Sequence, residues 1–326
     1  MDGISHLRFI IAMNLLPLLA VPVGIWLLFT GNVSAVDLAL LGLMFVVAGL
    51  GVSTGYHRLL SHRAFKASRG VRFAFTSAGA IAAQGPPMIW VAHHRRHHRH
   101  ADKPGDPHSP YVDQPSLLKG AIHSHVGWLF DKDLTSDPIR YCPDLARDKD
   151  VRFISNNFVW FVLGGVLAPG LIGYAVTGGQ VSALFTGMLW GGLIRMFLSN
   201  QVTWAVNSFG HVTGNRPFPT SDESRNNWWL AIPSFGEAWH NSHHAFPRSY
   251  RHGMRWYQVD LSAWIIVALE KLHVVSDVVR IGRDAQDAFV VARSDRGGGG
   301  RAFAHDVPTP LAARQREHVM VATDVE

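Results

Sequence analysis

The sequence predicts an all-α integral membrane protein with four transmembrane helices in two hairpins and a helical cap on the cytosolic side. Two observations carry this prediction. Four apolar runs, each with at most one charged residue, occur as two closely spaced pairs along the 326 residues. Nearly all basic residues and all 19 histidines lie outside these runs and outside the short connections within each pair.

The four runs have the length that a membrane requires, since a helix needs about 20 apolar residues to cross the hydrocarbon layer. The first pair comprises 9–31, which has no charged residue, and 36–56, which has one acidic residue near its start. The second pair comprises 157–179, also uncharged, and 181–206, which contains Arg195. That arginine indicates that the fourth helix leaves the hydrocarbon early and continues into the cytosol.

The distribution of charge predicts the orientation of the spans. The connections 32–35 and 178–180 contain no Lys or Arg, whereas the flanking segments are basic. Positively charged segments remain on the cytosolic side of a membrane. We therefore expect both termini and all histidine-rich segments to be cytosolic.

The remaining segments complete the predicted architecture. Residues 72–90 are apolar but are broken by Gly-Pro-Pro, which predicts a buried or interfacial helix and not a span. Residues 256–279 alternate apolar and polar side chains at helical spacing, which predicts a helix on the membrane surface. Residues 1–292 would then form one domain, and 293–326 a disordered tail rich in glycine and charge.

Composition excludes some classes of site and leaves others open. The excess of 30 basic over 24 acidic residues suits nucleic acid or an anionic membrane surface equally well. The single cysteine, Cys142, excludes an intrachain disulfide and a Cys-x-x-Cys zinc module.

The histidines outside the spans form three groups with helical spacing. Residues three and four apart share one face of an α-helix, and two groups have the pattern H-x₂-H-H. The other has H-x₄-H spacing, which fits one face imperfectly and indicates a bend or a helix end. Asn207 and His211, four residues apart, also share a face. The groups are His57 and His62; His94, His97 and His98; and His240, His243 and His244.

Groups so far apart in sequence can act together only if folding brings them together, which points to a metal site. Surface histidines, a metal-sequestering tract or a nucleic-acid patch would not need regular spacing in distant segments. Nine imidazoles suffice for two metal ions, and imidazole suits Zn, Cu, Fe and Ni. A di-iron carboxylate bundle needs four inward glutamates, but two of the five here, Glu317 and Glu326, lie in the tail. The cap is therefore predicted to hold a histidine-rich dimetal site.

The run of histidines and arginines at 93–100 permits two helical registers. One presents His94, His97 and His98, and the other presents His93, His97 and His100. The third group repeats the first of these spacings, so we assign His93 and His100 to other faces of the helix. We expect Arg95, Arg96 or Arg99 to meet an acyl head group or a lipid phosphate.

These motifs resemble those of membrane fatty acid desaturases. "HRLLSH", "HRRHH" and "HNSHH" match the three histidine boxes of that family. The flanking "GYHRLLSHRAFKA", "DPHSP", "SHVGW", "TWAVNSFGH" and "GEAWHNSHHAFPRSYRHG" resemble the Δ9, stearoyl-CoA desaturase-like branch of acyl-CoA and acyl-lipid desaturases, over about residues 10–280.

The resemblance implies a di-iron enzyme that uses O₂ and two electrons to place a cis double bond, at Δ9, in a saturated long-chain acyl group. The substrate would be an acyl-CoA or an acyl-lipid in a membrane, with no role for nucleic acid. No "HPGG" motif is present, so a separate ferredoxin- or cytochrome b5-type protein with its reductase would supply electrons. The metal ligands implied by position are His57, His62, His94, His97, His98, His211, His240, His243 and His244, with Asn207 acting through a water.

Two alternatives remain. A hydroxylase can share this scaffold, because the outcome depends on geometry. A His-rich metal transporter would place ionisable groups within its spans, and these spans contain almost none. We expect a multi-pass protein of the bacterial cytoplasmic membrane, in preference to the endoplasmic reticulum, with its active site facing the cytosol.

The resemblance also suggests where the acyl chain lies. In relatives the acyl tail enters the membrane between spans, and the second span leads directly into His57. We therefore expect its inward face to close the tunnel, so that Gly51→Trp would favour shorter substrates. The candidate residues for this end are Leu41, Phe45 and Gly51, and those for the walls are Trp90, Trp204 and Trp239, which could equally be interfacial anchors.

Overall fold

A computed structural model describes residues 3–131 and 135–294, and within them the side chains of residues 11, 13–131 and 135–290. Two short strands, β1 (Lys66–Ala67) and β2 (Val275–Ser276), pair in antiparallel fashion. Two π-helices (Gly51–Ser61 and Met188–Ile194) and a 3₁₀ turn (Gly127–Phe130) accompany the α-helices. These are α1 (Gly3–Phe29), α2 (Ala35–Leu50), α3 (Arg69–Ile81), α4 (Pro87–His100), α5 (Leu117–His125), α6 (Pro138–Tyr141), α7 (Pro143–Arg147), α8 (Lys149–Asn156), α9 (Phe158–Val176), α10 (Val181–Gly187), α11 (Arg195–Val212), α12 (Trp228–Ala231), α13 (His240–Ala245), α14 (Leu261–Lys271) and α15 (Arg283–Ser294).

Three helical runs of the described chain are long and apolar enough to cross a membrane: Ala35–Ser61, Phe158–Val176 and Val181–Val212. They coincide with the second, third and fourth predicted spans. The first predicted span, 9–31, falls on α1, whose described side chains form the shorter apolar helix Met13–Phe29. The prediction of a mostly helical membrane protein is confirmed, and the count of four spans stays a prediction.

π-Helical turns continue two of these runs without a break. α2 passes directly into Gly51–Ser61, and α10 passes through Met188–Ile194 into α11. In the first of these, the His62 N–H donates to the His57 carbonyl at 3.1 Å. Residues five apart are therefore one hydrogen-bonded turn apart, which is the pattern of a π-helix. This geometry explains the H-x₄-H spacing, and His62 caps the end of the helix.

α3 packs against the first π-helix by close backbone contact at glycine. A Cβ atom on Gly51 would lie 2.2 Å from the backbone of Ala78 and Gly79. Gly51 is thus required for the contact with α3, and the prediction that it faces the acyl chain is wrong. The physical reason is the π-helix, because its turns do not keep the α-helical spacing from which the inward face was assigned.

The structure agrees with the prediction for residues 72–90 and differs from it for residues 256–279. Residues 72–90 form no span, since α3 ends at Ile81 and α4 begins at Pro87, on either side of the predicted break. Residues 256–279 form only α14 and then β2, where one surface helix is predicted. The helix ends because His273 adopts a left-handed conformation, with φ of 56°. The predicted disordered tail lies outside the described residues, apart from the end of α15 at Ser294.

Arg195 is completely buried at the start of α11. Its guanidinium donates to the carbonyls of Ile81 (2.8 Å), Gly165 (3.2 Å) and Gly191 (3.2 Å). Each of these carbonyls is at an irregular point in a helix: the last residue of α3, the position four before Pro169, and the second π-helix. Proline has no N–H to offer, and helix ends leave carbonyls unpaired. Arg195 therefore supplies a donor to carbonyls of three helices, two of which, those of Ile81 and Gly165, lack the regular backbone donor.

Candidate metal centre

α4 presents the second histidine group close to the first. The helix begins at Pro87, where the missing N–H has no cost. Arg95 donates to the carbonyls of Leu60 and Ser61 and to the Asp144 carboxylate. These bonds tie α4 to the end of the π-helix that carries His57. Arg95 thus has a structural position, contrary to the expectation that it meets a head group.

The third histidine group lies on α13, a six-residue helix that would not be stable by itself. Side chains hold it in place. The Asn241 amide bonds the backbone N–H and carbonyl of Phe218, and the Asn226 amide bonds Ser242. The Trp239 indole N–H donates to the Val259 carbonyl at 2.8 Å.

The structure brings nine predicted ligands together as two clusters of imidazoles. Within each cluster, one ring nitrogen from every histidine lies within 4.8 Å of the others. The five-histidine cluster draws on the π-helix, α4 and α13, and the four-histidine cluster draws on α4, α11 and α13. The members are His57, His62, His94, His98 and His243 in the first cluster, and His97, His211, His240 and His244 in the second.

The Nε2 atoms of all nine rings point toward one another. Nε2–Nε2 distances run from 2.7 Å between His62 and His94 to 3.3 Å between His97 and His244. A neutral imidazole carries one N–H and one lone pair. In the last pair both Nδ1 atoms face carboxylates, so the protons lie there and two Nε2 lone pairs face each other. Such an arrangement fits a cation bound between the rings, so the residues present suit a metal ion in each cluster.

Four carboxylates orient these rings from outside the clusters, and the sequence did not identify them. Asp106 faces His97 (2.9 Å), Asp102 faces His211 (2.8 Å) and Asp222 faces His244 (3.1 Å), each at Nδ1. Glu237 pairs with Nδ1 of His57. The one sequence signal is that acids flank the boxes, as in "ADKPGD" and "GEAWH". Nothing in these flanks indicates that Asp102 reaches a histidine 109 residues away.

The protonation states of five cluster histidines suit metal binding, whereas at His211, where burial alone would lower the pKa, the Asp102 carboxylate raises it. Burial lowers the pKa of five histidines well below the ordinary value of an imidazole. This keeps their rings in the neutral form that binds metals. Burial alone would raise the pKa of Asp102, but its interactions with His211 and the Glu223 N–H lower it to about 2. The neutral histidines are His62, His94, His98, His240 and His243.

His93, His100 and Asn207 stand apart from the two clusters. His93 packs against Trp128 and has its Nδ1 atom 3.0 Å from the Ser136 hydroxyl. Neither His93 nor His100 contributes a nitrogen to either cluster. Asn207, one helical turn before His211, lines a cavity that reaches the clusters.

That cavity runs along α2 and the first π-helix, from Phe45 to His57. His57, His94, His97 and His240 are among its lining residues. Phe45 lines it as predicted, whereas Leu41 packs beside Ala20 and Trp190. A metal centre thus opens onto a narrow, mainly hydrophobic space.

Gln84 is a polar residue in the wall of this cavity. Gln84 donates to the Thr203 hydroxyl at 2.8 Å and accepts from the Trp90 indole N–H at 3.4 Å. The Trp90 ring stacks on His94, so this tryptophan is a wall of the cavity. Trp204 and Trp239 do not line it.

Comparisons with known proteins agree with this geometry. Residues 33–277 match the family model described as fatty acid desaturase. A hex-5-enoyl-[acyl-carrier protein] acetylenase of Moorena producens is 42% identical over 81% of this chain and 84% of its own length. A palmitoyl-monogalactosyldiacylglycerol delta-7 desaturase of Arabidopsis thaliana is 36% identical over 88% and 71%. An sn-1 stearoyl-lipid 9-desaturase of Anabaena variabilis is 36% identical over 75% and 84%.

The matched segment contains the spans found in the structure, all three histidine groups and the carboxylates that orient them. The relatives named above are oxidoreductases that act on acyl chains, and the predicted resemblance to fatty acid desaturases is confirmed. By sequence, and with a fold that agrees, the chain is an oxidoreductase that belongs to the fatty acid desaturase family.

Proposed function

We propose that this protein is an O₂-dependent desaturase that introduces a cis double bond at Δ9 of a saturated long-chain acyl group. The observation that carries the proposal is the convergence of nine imidazole Nε2 atoms at one end of a long apolar cavity. When bound, two iron ions would supply the activation of O₂ and the removal of two hydrogens from neighbouring carbons. The five-histidine and four-histidine clusters would each hold one ion, with Asn207 contributing through a water.

The chain's own residues would bind and position the acyl group. Val52, Val202 and Val206 line the cavity beside the clusters and would exclude water from the reacting carbons. The bonded pair Gln84 and Thr203 fixes the wall next to Trp90 and His94. A wall held in this way keeps the same pair of carbons beside the metals, which is the positioning that catalysis needs.

The proposal also specifies the position of the double bond and the molecule that carries the acyl chain. Δ9 is supported by stearoyl-lipid 9-desaturases among the relatives, and the acyl-lipid or acyl-CoA carrier by their names. The delta-7 desaturase and the acetylenase show that the family also contains other outcomes. A separate ferredoxin- or cytochrome b5-type protein would deliver the electrons.

Fatty acid analysis of a bacterial host with and without the protein tests the proposed function. We expect new cis monoenes, with the double bond located at carbon 9 by mass spectrometry of dimethyl disulfide adducts. Hydroxy fatty acids would identify the hydroxylase alternative, and triple bonds would identify an acetylenase. If the host accumulates a different amount of metal while its acyl chains are unchanged, the protein would be identified as a metal transporter and the proposal would be wrong.

The proposed topology has four spans and a cytosolic active site, in the bacterial cytoplasmic membrane. Reporter fusions at both termini and in connections 32–35 and 178–180 test it. Because the connections lack basic residues, we expect extracytosolic signals from both and cytosolic signals from the termini. A cytosolic signal from 178–180 would contradict the two-hairpin arrangement.

The far end of the cavity should set the length of the acyl chain. A Cβ atom on Gly49 would lie 2.0 Å from the Phe235 ring, which lines the cavity opposite Phe45 at a centroid distance of 5.8 Å. Gly49→Ala should therefore push this ring into the cavity and shift products toward shorter chains, by about tenfold in the product ratio. Gly42→Ala is the matched control, because a Cβ there contacts nothing. The same profile from both variants would count against this placement.

A further inference from the structure

The two histidine clusters differ in how many carboxylates support them. In the four-histidine cluster, three of the four Nδ1 atoms face a carboxylate, from Asp102, Asp106 and Asp222. In the five-histidine cluster, only His57 pairs with one, Glu237, among the described residues. Within the described part of the chain, neither Nδ1 of His243 nor Nδ1 of His240 in the other cluster has a hydrogen-bond partner. The support is thus concentrated on one of the two proposed metal positions.

The three aspartates are themselves held by hydrogen bonds from other groups of the chain. Asp106 accepts the backbone N–H groups of Asp102 (2.8 Å) and His108 (3.1 Å). Asp102 accepts the Glu223 N–H and the Ser109 hydroxyl, both at 2.8 Å. Asp222 accepts the Ser224 N–H at 3.0 Å. Each carboxylate therefore fixes the orientation of an imidazole at no further entropic cost.

The balance of charge differs in the same direction. Within the described chain, Asp102, Asp106 and Asp222 form no ion pair with Lys or Arg. Glu237 is shared with the Arg58 guanidinium, at 3.2 Å, and Arg58 also pairs with Asp260. The three carboxylates of the four-histidine cluster thus form no ion pair with a described Lys or Arg, although Arg216 donates to the backbone carbonyl of Asp222. At the other cluster, the charge of Glu237 is partly balanced by Arg58, which it shares with Asp260. A dication gains more from the first environment.

We propose that Asp102, Asp106 and Asp222 make the four-histidine cluster the tighter of the two metal positions, so that it is filled first and emptied last. This inference rests on the proposed function. A carboxylate behind a histidine ligand orients the ring and raises its basicity, and its loss costs about 10–100-fold in metal affinity. The additional histidine of the five-histidine cluster would raise the metal affinity of that cluster. We expect the three carboxylates of the four-histidine cluster to outweigh this one extra ligand.

Chelation of the purified wild-type protein in detergent, followed by iron analysis over time, tests the inference without any substitution. We expect two phases, with about one ion per chain released quickly and the second retained. Release of both ions in a single phase would overturn the inequality and leave the proposed function intact. A chain that binds no iron would overturn both.

Isosteric substitutions then assign the retained ion to its cluster. Asp106→Asn and Asp222→Asn should each speed the slow phase about 10–100-fold, while Glu237→Gln should speed only the fast phase. Asp150→Asn is the matched control, since Asp150 pairs with Arg69 and Arg72 and belongs to neither cluster. A slow phase that stays unchanged in Asp106→Asn and Asp222→Asn, but is lost in Glu237→Gln, would reverse the assignment.

Discussion

Replacing His94 by alanine should lower the iron content and reduce desaturation by more than about 100-fold, the upper range for loss of a group that merely supports a ligand. His94 Nε2 lies 2.7 Å from Nε2 of His62, inside the five-histidine cluster. Without it, the proposed metal position loses a donor, and its neighbour is left with an unmatched lone pair. Iron per chain and product formation are both measured, so that loss of metal is separated from loss of substrate binding.

His93 provides the matched control for that substitution. It precedes His94 on the same helix but bonds Ser136 and packs on Trp128, outside both clusters. His93→Ala should keep the iron content and much of the activity. If His93→Ala loses iron while His94→Ala retains it, the assignment of the second histidine group is wrong.

Replacing Arg195 by leucine should cause the largest loss of stability of any single substitution considered. The carbonyls of Ile81 and Gly165 would lose their donor, and that of Gly191 would lose one donor. Each unsatisfied buried group costs about 1–3 kcal/mol, so the sum approaches the whole stability of a typical domain. Removal of a buried charge offsets part of this cost, but the carbonyls lie among membrane-spanning helices, where water cannot replace the guanidinium.

The expected result for Arg195→Leu is a low yield of monodisperse protein in detergent and a thermal midpoint many degrees below the wild type. Arg152→Leu, at an exposed position on α8, is the control and should behave as the wild type. Arg195→Lys should lie between the two, because an ammonium keeps the charge but not the planar set of donors. Equal thermal midpoints for Arg195→Leu and the wild type would refute the role of the guanidinium.

The sequence predicts the parts of this protein that depend on local periodicity. Hydropathy locates the spans because a bilayer has a fixed thickness, and H-x₂-H-H spacing groups His94, His97 and His98 because an α-helix has a fixed pitch. Both quantities belong to one segment at a time. The spacing of Asn207 and His211 on α11 is predicted for the same reason.

What the sequence does not predict depends on contacts between distant segments or on irregular backbone. Asp102 and His211 meet only through the tertiary fold, and no periodicity relates them. The π-helix at Gly51–Ser61 is not predicted, because the close contact of Gly51 and Gly55 with α3 is a contact between separate segments. Gly51 is therefore assigned to the wrong surface, whereas Phe45, which lies in the regular part of the same run, is assigned correctly.

Because Gly51–Ser61 is π-helical, the length of this segment is as constrained as its composition. Deletion of one residue between Gly51 and His57 would shift the i→i+5 hydrogen-bond register, so the side chains before and after the deletion would no longer share their present faces. The imidazole of His57 would turn away from Glu237. The side chains of α2 that line the cavity, Phe45 among them, would no longer lie on the same face of the helix as His57. The connection at 178–180, where two glycines have positive φ, does not link a histidine group to the cavity wall, so its length is not constrained in this way. Divergence in acyl-chain length should therefore proceed by exchange of side chains within a helix of constant length.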